Sequence, residues 1–509
     1  MSAVDARIEL DLRIGYAFTR FLTNSLRPLG GPLGDKVVSY GKPIIAPCSS
    51  RQSPHEPTGS CQFPTLGFVV ERYFRVKNFV PETFWTIKVM HNRKGIDVNF
   101  SWARNRLFDR ASVTILYEKC LNARIAKVAK VQEKPTKKWK PLPLTTVELQ
   151  KAATRLLRMT GQNAMTIAEA LYNKGFISYP RTETDRFDKG MDLKALCRKQ
   201  TPDGRWGQFA QGLVDGAFQQ PREGRHDDKA HPPIHPVTYA APSVLGPDEG
   251  RLYEYVVRRF LACCSEDARG LATDIEINYG GETFAAHGLI VLERNYLDVF
   301  VYEKWNSSPE LPKFTVGEQF QPTEAMMNEG KTAAPNYLTE ADLIALMDAN
   351  GIGTDATMAE HIQKIQDRHY VDVVNIQGGS AGDGEDAEPA PAARGGRGGR
   401  GTRGGARGGG RGGAARGKAG KYFVPTRLGV ALILGFDRMN FETSLGKPFL
   451  RREMETKMKA ICEGRTTKAA VLQENIAQYS TVFAQSQEKL DILRAVCSWS
   501  VSRCCWTYC

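Results

Sequence analysis

The chain has 509 residues and a formal net charge of +13, enough length for several domains and a balance that favours a polyanionic partner. Its apolar runs fall short of the roughly 18 residues of a membrane span, and the N-terminus carries no signal-peptide core. Eleven cysteines, odd in number and without paired CxxC motifs, indicate neither a disulfide framework nor a zinc ribbon.

In chain order, Leu10, Ile14 and Phe18 recur at helical spacing, predicting a helix from Arg7 to Arg20 with Arg7 and Asp11 four apart on one face. The proline-rich stretch 42–58 reads as a loop. Alternation in Phe84–Met90 and in Ala111–Tyr117 predicts strands, as it does from Leu271 to Tyr302. Between these β regions, helices near Val147–Leu157 and Ala164–Asn173 run into Gly175, which stands where a C-cap glycine belongs. The segment Gly175–Asp185 follows. There Pro180 holds the backbone extended, so Tyr179 and Arg181 are expected on one face. A guanidinium beside a phenol favours the phenolate and neutralises charge on a phosphate, although so short a pattern also fits an inert surface turn.

His231 and His235 lie four apart, but Pro232, Pro233 and Pro236 forbid the helix that would make them a zinc pair. A histidine near a phosphate site can instead supply a hydrogen bond or a pH-dependent charge. Thr339 predicts a helix cap, with the helix running to about Ala349 and closed by Gly351. A second helix is expected from about Asp355 to Asp367. Gly351–Thr357 at its N-terminus suits a nucleic-acid phosphate but lacks the lysine of a P-loop; a plain helix connection is the alternative.

Residues 378–420 are of low complexity and are expected to be disordered, between strand candidates at Tyr370–Val374 and Lys421–Pro425 that would pair as a hairpin. Between Arg394 and Lys418 seven arginines and one lysine without an acid supply +8 of the +13. Arg394, Arg397, Arg400, Arg403, Arg407 and Arg411 stand in Arg-Gly-Gly repeats, a composition that binds RNA or single-stranded DNA with little sequence choice. An inert linker is the alternative.

Taken together, Glu9–Gly15, Cys61–Leu66, Ile177–Glu183, His231–Pro236, Leu338–Leu343, Gly351–Thr357 and Gln366–Tyr370 resemble, in order, the motifs of the type IA DNA topoisomerases, and among them the eukaryotic topoisomerase III group. The likeness runs from Arg7 to about Lys489. It implies a multidomain α+β toroid, in which a β-rich arch joins helical domains. The division expected is a helical DNA-gate domain at 1–75 and again at 336–377 and 421–490, an arch at 76–143 and 269–335, a helical domain carrying the tyrosine at 144–268, and an atypical tail at 491–509.

The resemblance implies that Tyr179 is the nucleophile that cuts one DNA strand and holds its 5′ phosphate, with Arg181 and His231 at the same site. It places Arg7, Asp11, Gln62, Thr357 and Arg368 along the path of single-stranded DNA. Resealing would need no ATP. The family carries Mg2+ on the acidic cluster of a Toprim domain ahead of the Arg7 helix. This sequence shows neither those ligands nor any other metal site, and the family's zinc-finger cysteines are absent too. The expectation is that the chain alone binds single strands but does not complete Mg2+-assisted cleavage and resealing; a non-catalytic single-strand DNA- or RNA-binding form is the alternative. The resemblance also implies a nuclear protein of DNA recombination and repair, with a RecQ-type helicase and an OB-fold subunit as partners, and no membrane. The 42–58 stretch and the cysteine-rich tail depart from the family's pattern, as translated introns would.

Overall fold

The computed structural model describes residues 2–30, 61–308, 311–354, 357–376, 420–441 and 444–501. The 42–58 loop, residues 378–419 with the six arginines of the repeats, and the last part of the tail lie outside these residues.

Helix α1 (Ser2–Leu26) is longer than the spacing of its apolar residues required, and it buries Leu10, Ile14, Phe18 and Leu22. After α2 (Gln62–Lys77), β1 (Thr83–Arg93) turns through Lys94 and Gly95, both at positive φ, into β2 (Ile96–Trp102). Helix α3 (Arg110–Ala123) corrects an expectation: residues 111–117 are not a strand. The Asp109 carboxylate accepts from the amides of Ala111 and Ser112 and so starts a helix. Val113 and Cys120, seven apart, are fully buried, whereas Ile115 is exposed, which is helical and not alternating burial.

β3 (Ala126–Lys138) leads to α4 (Thr146–Leu156) and α5 (Gly161–Asn173), started by Thr145 and Thr160, whose hydroxyls accept from the amides three residues on. The short α6 (Leu193–Lys199) and α7 (Gly207–Gly212) and the long α8 (Pro247–Cys263) complete this helical region. β4 (Ala268–Tyr279) and β5 (Glu282–Glu293) form a hairpin over Gly280 and Gly281. The expected alternation stops there. Asn295–Asp298 is a 3-10 turn that buries Tyr296 and Leu297 in the helical core, so the run to Tyr302 is not strand. β6 (Gln319–Phe320) and β7 (Glu324–Lys331) follow.

Thr339 caps α9 (Glu340–Ala349) in a reciprocal box with Asp342. Then come α10 (Met358–Asp367) and the antiparallel pair β8 (Val371–Ile376) and β9 (Gly420–Pro425). Helices α11 (Arg427–Arg438), α12 (Phe449–Cys462), α13 (Lys468–Glu488) and α14 (Leu490–Val501) end the described chain. Residues 491–501, set apart above as tail, are thus a core helix. Leu493, Val496 and Cys497 recur at helical spacing and are buried in the same cluster as α1 and α11.

The strands before and after the helical region interleave in one antiparallel sheet of order β6-β3-β4-β5-β2-β1-β7. Three apolar cores result: one in that sheet under α3, one in the helices of 144–264 with residues 296–300, and one built from both ends of the chain.

Candidate active site

Helix α5 ends with Lys174 as its C-cap and Gly175 at φ +77, and the amides of Gly175 and Phe176 donate to the carbonyls of Tyr172 and Leu171. This glycine-dependent turn sends the chain back along the helix it has just left. The segment is then tied on both sides. The Ser178 amide donates to the His235 carbonyl at 2.9 Å, and Thr146 Oγ1 donates to the Pro180 carbonyl at 2.8 Å while accepting from the Thr182 amide at 2.7 Å.

Tyr179 is half-buried. Its ring meets Tyr172 edge-on at 5.3 Å and lies 4.6 Å from the His231 ring at 38°. Arg181 Nε donates to Glu169 at 2.8 Å. Tyr172 and Glu169 are three apart on α5, so Tyr179 and Arg181 are directed at one face of that helix. Burial disfavours the Arg181 cation, but Glu169 outweighs it, with smaller help from Tyr179 and from Glu360 on α10, and raises its pKa above the ordinary arginine value.

His231 is held by Asp228. The carboxylate accepts from the amides of Ala230 and His231 at 2.8 Å and from the Thr182 hydroxyl at 2.9 Å, and lies 3.8 Å from the His231 ring nitrogen. Burial works to raise the Asp228 pKa; those donors win and hold it below the usual carboxylate range. His235, by contrast, is a core residue: it packs on Phe187 and Phe260, its Nδ1 donates to the Pro233 carbonyl, and burial lowers its pKa. The two histidines do not act together.

The other expected residues lie in the core built from both chain ends. Arg7 and Asp11 pair at 3.8 Å, but each has a nearer partner on α12: Arg451 for Asp11 at 2.5 Å and Glu455 for Arg7 at 3.0 Å. Asp11 and Arg451 are both almost fully buried, and burial lifts the Asp11 carboxyl against the pull of Arg451 and then Arg7. Gln62 is only 1% exposed, with both side-chain polar atoms unpartnered. It sits at the first turn of α2, where the helix packs inward. Thr357 caps the α10 backbone position and its hydroxyl accepts from the Thr354 amide at 3.0 Å. Arg368 is at the opposite end of α10, eleven residues on or about 16 Å along the helix. Beneath the Gly351–Thr357 turn, burial and then Arg451 push His361 down to about 3, so it stays neutral.

A cleft of about 650 Å3 is lined by Glu183 and Asp185, a few residues past the tyrosine, by the Gly351–Thr354 turn, and by Glu455 and Lys459 on α12. The partners Glu169, Tyr172, Asp228, Arg451 and Glu455 were missed in the sequence. Only Asp228 left a signal there, an aspartate three residues before His231 that can take the amides of an Asx turn.

The architecture is that of a type IA topoisomerase: full-length topoisomerase I of Thermotoga maritima superposes with a TM-score of 0.65 at 20% identity, over 96% of this chain and 69% of that one. A family model described as DNA topoisomerase matches residues 1–380. The chain is 43% identical to DNA topoisomerase 3 of Schizosaccharomyces pombe over 97% of its own length and 71% of that protein's. It is 44% identical to human DNA topoisomerase 3-alpha over 96% of its length, spanning 42% of the human protein. The chain therefore belongs to the type IA DNA topoisomerases, in their topoisomerase III group.

Proposed function

We propose that Tyr179 is the nucleophile of this topoisomerase and that single-stranded DNA is what it cuts. The observation that carries the reading is the convergence of Tyr179 and Arg181 on one face of α5, with His231 against the tyrosine ring, each fixed by a partner of its own. The phenolate oxygen attacks a backbone phosphorus. A Tyr O–P bond forms, the P–O3′ bond breaks, and the 3′ oxygen leaves and takes up a proton. Reversal restores the phosphodiester, so the tyrosyl ester conserves the bond energy and no nucleotide triphosphate is consumed. Arg181 offsets charge on the non-bridging oxygens, and His231, stacked on the tyrosine ring, offers a donor to the same phosphate.

The resemblance implies Mg2+. Among the described residues no group of three or more His, Cys, Asp or Glu fits a metal ion, so no step is routed through one. A nuclear location, RNA as a second substrate and a RecQ-type helicase partner are further proposals, resting on the family likeness alone.

The test is covalent trapping on a labelled single-stranded oligonucleotide with Mg2+, using the chain itself and the chain preceded by a Toprim domain of the kind the family resemblance implies. An adduct in either arm that Tyr179→Phe abolishes is the expected result. An adduct that survives the substitution, or none in both arms, overturns the assignment.

A further inference from the structure

We infer that Trp139 is a stacking platform for an unpaired base of the DNA strand, on the wall of the cleft that Glu183 and Asp185, four and six residues past Tyr179, also line. The inference rests on reading Tyr179 as a site for single-stranded DNA, and adds to it a residue outside the chemistry. Trp139 follows β3 where the chain leaves the sheet, and its side chain is 62% exposed. One exposed tryptophan is unremarkable in itself. Its mounting is not.

Both neighbours are pinned. Lys138 Nζ reaches Glu303 and the Lys304 carbonyl, each at 3.1 Å. Lys140 is buried, its amide donating to Asp267 at 3.0 Å and its ammonium to the carbonyls of Gln220 and Ser265 at 2.7 Å. The Arg222 guanidinium lies over the indole 5.2 Å from its centroid, and is itself fixed by a 2.9 Å bond to the Lys140 carbonyl. A cation on one face orients the ring and leaves the rest of the side chain to solvent. This is a rigid, sequence-tolerant surface of the kind on which bases stack.

The cleft's charges point the same way. Arg222 and Arg259 spend donors on the carbonyls of Lys140 and Leu142, and the wall's four cations, Lys459 among them, stand against five carboxylates. The wall thus carries no net positive charge to draw a phosphate, and stacking is the interaction Trp139 adds to it. Asp185 also ties this wall to the active site: its amide and carbonyl pair with His226 and Gly224, four and two residues past Arg222.

The experiment is a fluorescence-anisotropy titration of the full chain with oligothymidylates carrying a single abasic nucleotide at each position in turn, at fixed salt. Wild type should lose about tenfold in affinity when the abasic position falls at one register. Trp139→Ala and Trp139→Leu should bind the intact strand about tenfold more weakly and show no such register, while Trp139→Phe keeps it. Leucine preserves apolar bulk without a π face. Equal binding by wild type and Trp139→Leu, or the same abasic register in both, overturns the platform. Those outcomes are independent of the adduct test, because Tyr179→Phe leaves the stacking register in place even where it removes all covalent product.

Discussion

Arg181 can reach a phosphate only from where Glu169 leaves it, since one carboxylate oxygen takes its Nε at 2.8 Å. The pair is partly exposed, with 26% of the arginine and 40% of the glutamate side chain accessible, so solvent screening keeps its stability contribution below about 1 kcal/mol. Its effect on chemistry is larger, because a misplaced charge no longer meets the developing one. Glu169→Gln should therefore slow adduct formation about tenfold while changing the amide protection of α5 little. Adduct kinetics beside hydrogen exchange of α5 separate the two, and a loss of protection matching the loss of rate would contradict this role. The direction shared by Tyr179 and Arg181 was legible from Pro180. Glu169 was not, because the pairing depends on how far the Gly175 turn folds the chain back, and no local pattern encodes that.

At the scale of elements, the loop of residues 224–228 and the tyrosine segment form one unit. Thr182 and Thr184 hydroxyls hold Asp228, and Asp228 holds His231. The folded pKa of Asp228 is depressed from 3.8, so the folded state binds its proton less well than the unfolded chain. Its contribution is thus present above about pH 4 and is lost as pH falls through the lower folded value. Below pH 4 the loop should open, read as faster amide exchange at Ala230 and His231. Asp228→Asn should exchange faster already at neutral pH, and without the acid step. The helices were legible wherever burial repeats at helical spacing, as in α1 and α9, and the β8–β9 pair wherever alternation runs between turns. Residues 111–117 misled because Val113, Thr114 and Ile115 are β-branched, and the Asp109 cap together with packing against β1 overrode that propensity.

Across the whole molecule, the tyrosine-bearing helices meet the other helical core along α4 and α5 against α9 and α10. The contact mixes apolar and polar groups: Val147 packs against the other core and Ile344 and Ala359 close on Gly161, whose amide donates to Glu340 at 2.6 Å, with Arg155–Asp342 at 3.4 Å and Lys151–Asp348 at 4.0 Å outside it. Burial raises the Glu340 pKa above 4.5, against the Gly161 amide and Lys421. The folded state therefore binds its proton more tightly, and this group's contribution is fully present below pH 4.5 and declines as pH rises through the folded value. Glu340→Gln keeps an acceptor for Gly161 and should remove that slope. Glu340→Ala leaves the amide unpaired at the helix start, at a cost of about 1–3 kcal/mol. Hydrogen exchange at the α5 N-terminus is the measurement to use, because a chain with three cores has no single unfolding midpoint. Protection unchanged in the alanine variant would remove Glu340 from this contact.

The sheet also carries a timetable. Lys138 and Ala268 face each other across the β3–β4 ladder, so everything between them leaves and returns at one rung. During synthesis the tyrosine unit can close its own core as soon as α8 and the 296–300 turn have emerged, whereas the sheet around it must still wait for β6 and β7. The core shared by the two chain ends waits longest, since Asp11 meets Arg451 only after 440 further residues. Helix α1 is thus separated by most of the described chain from its partner, and until they meet Leu10, Ile14 and Phe18 present an uncovered apolar face.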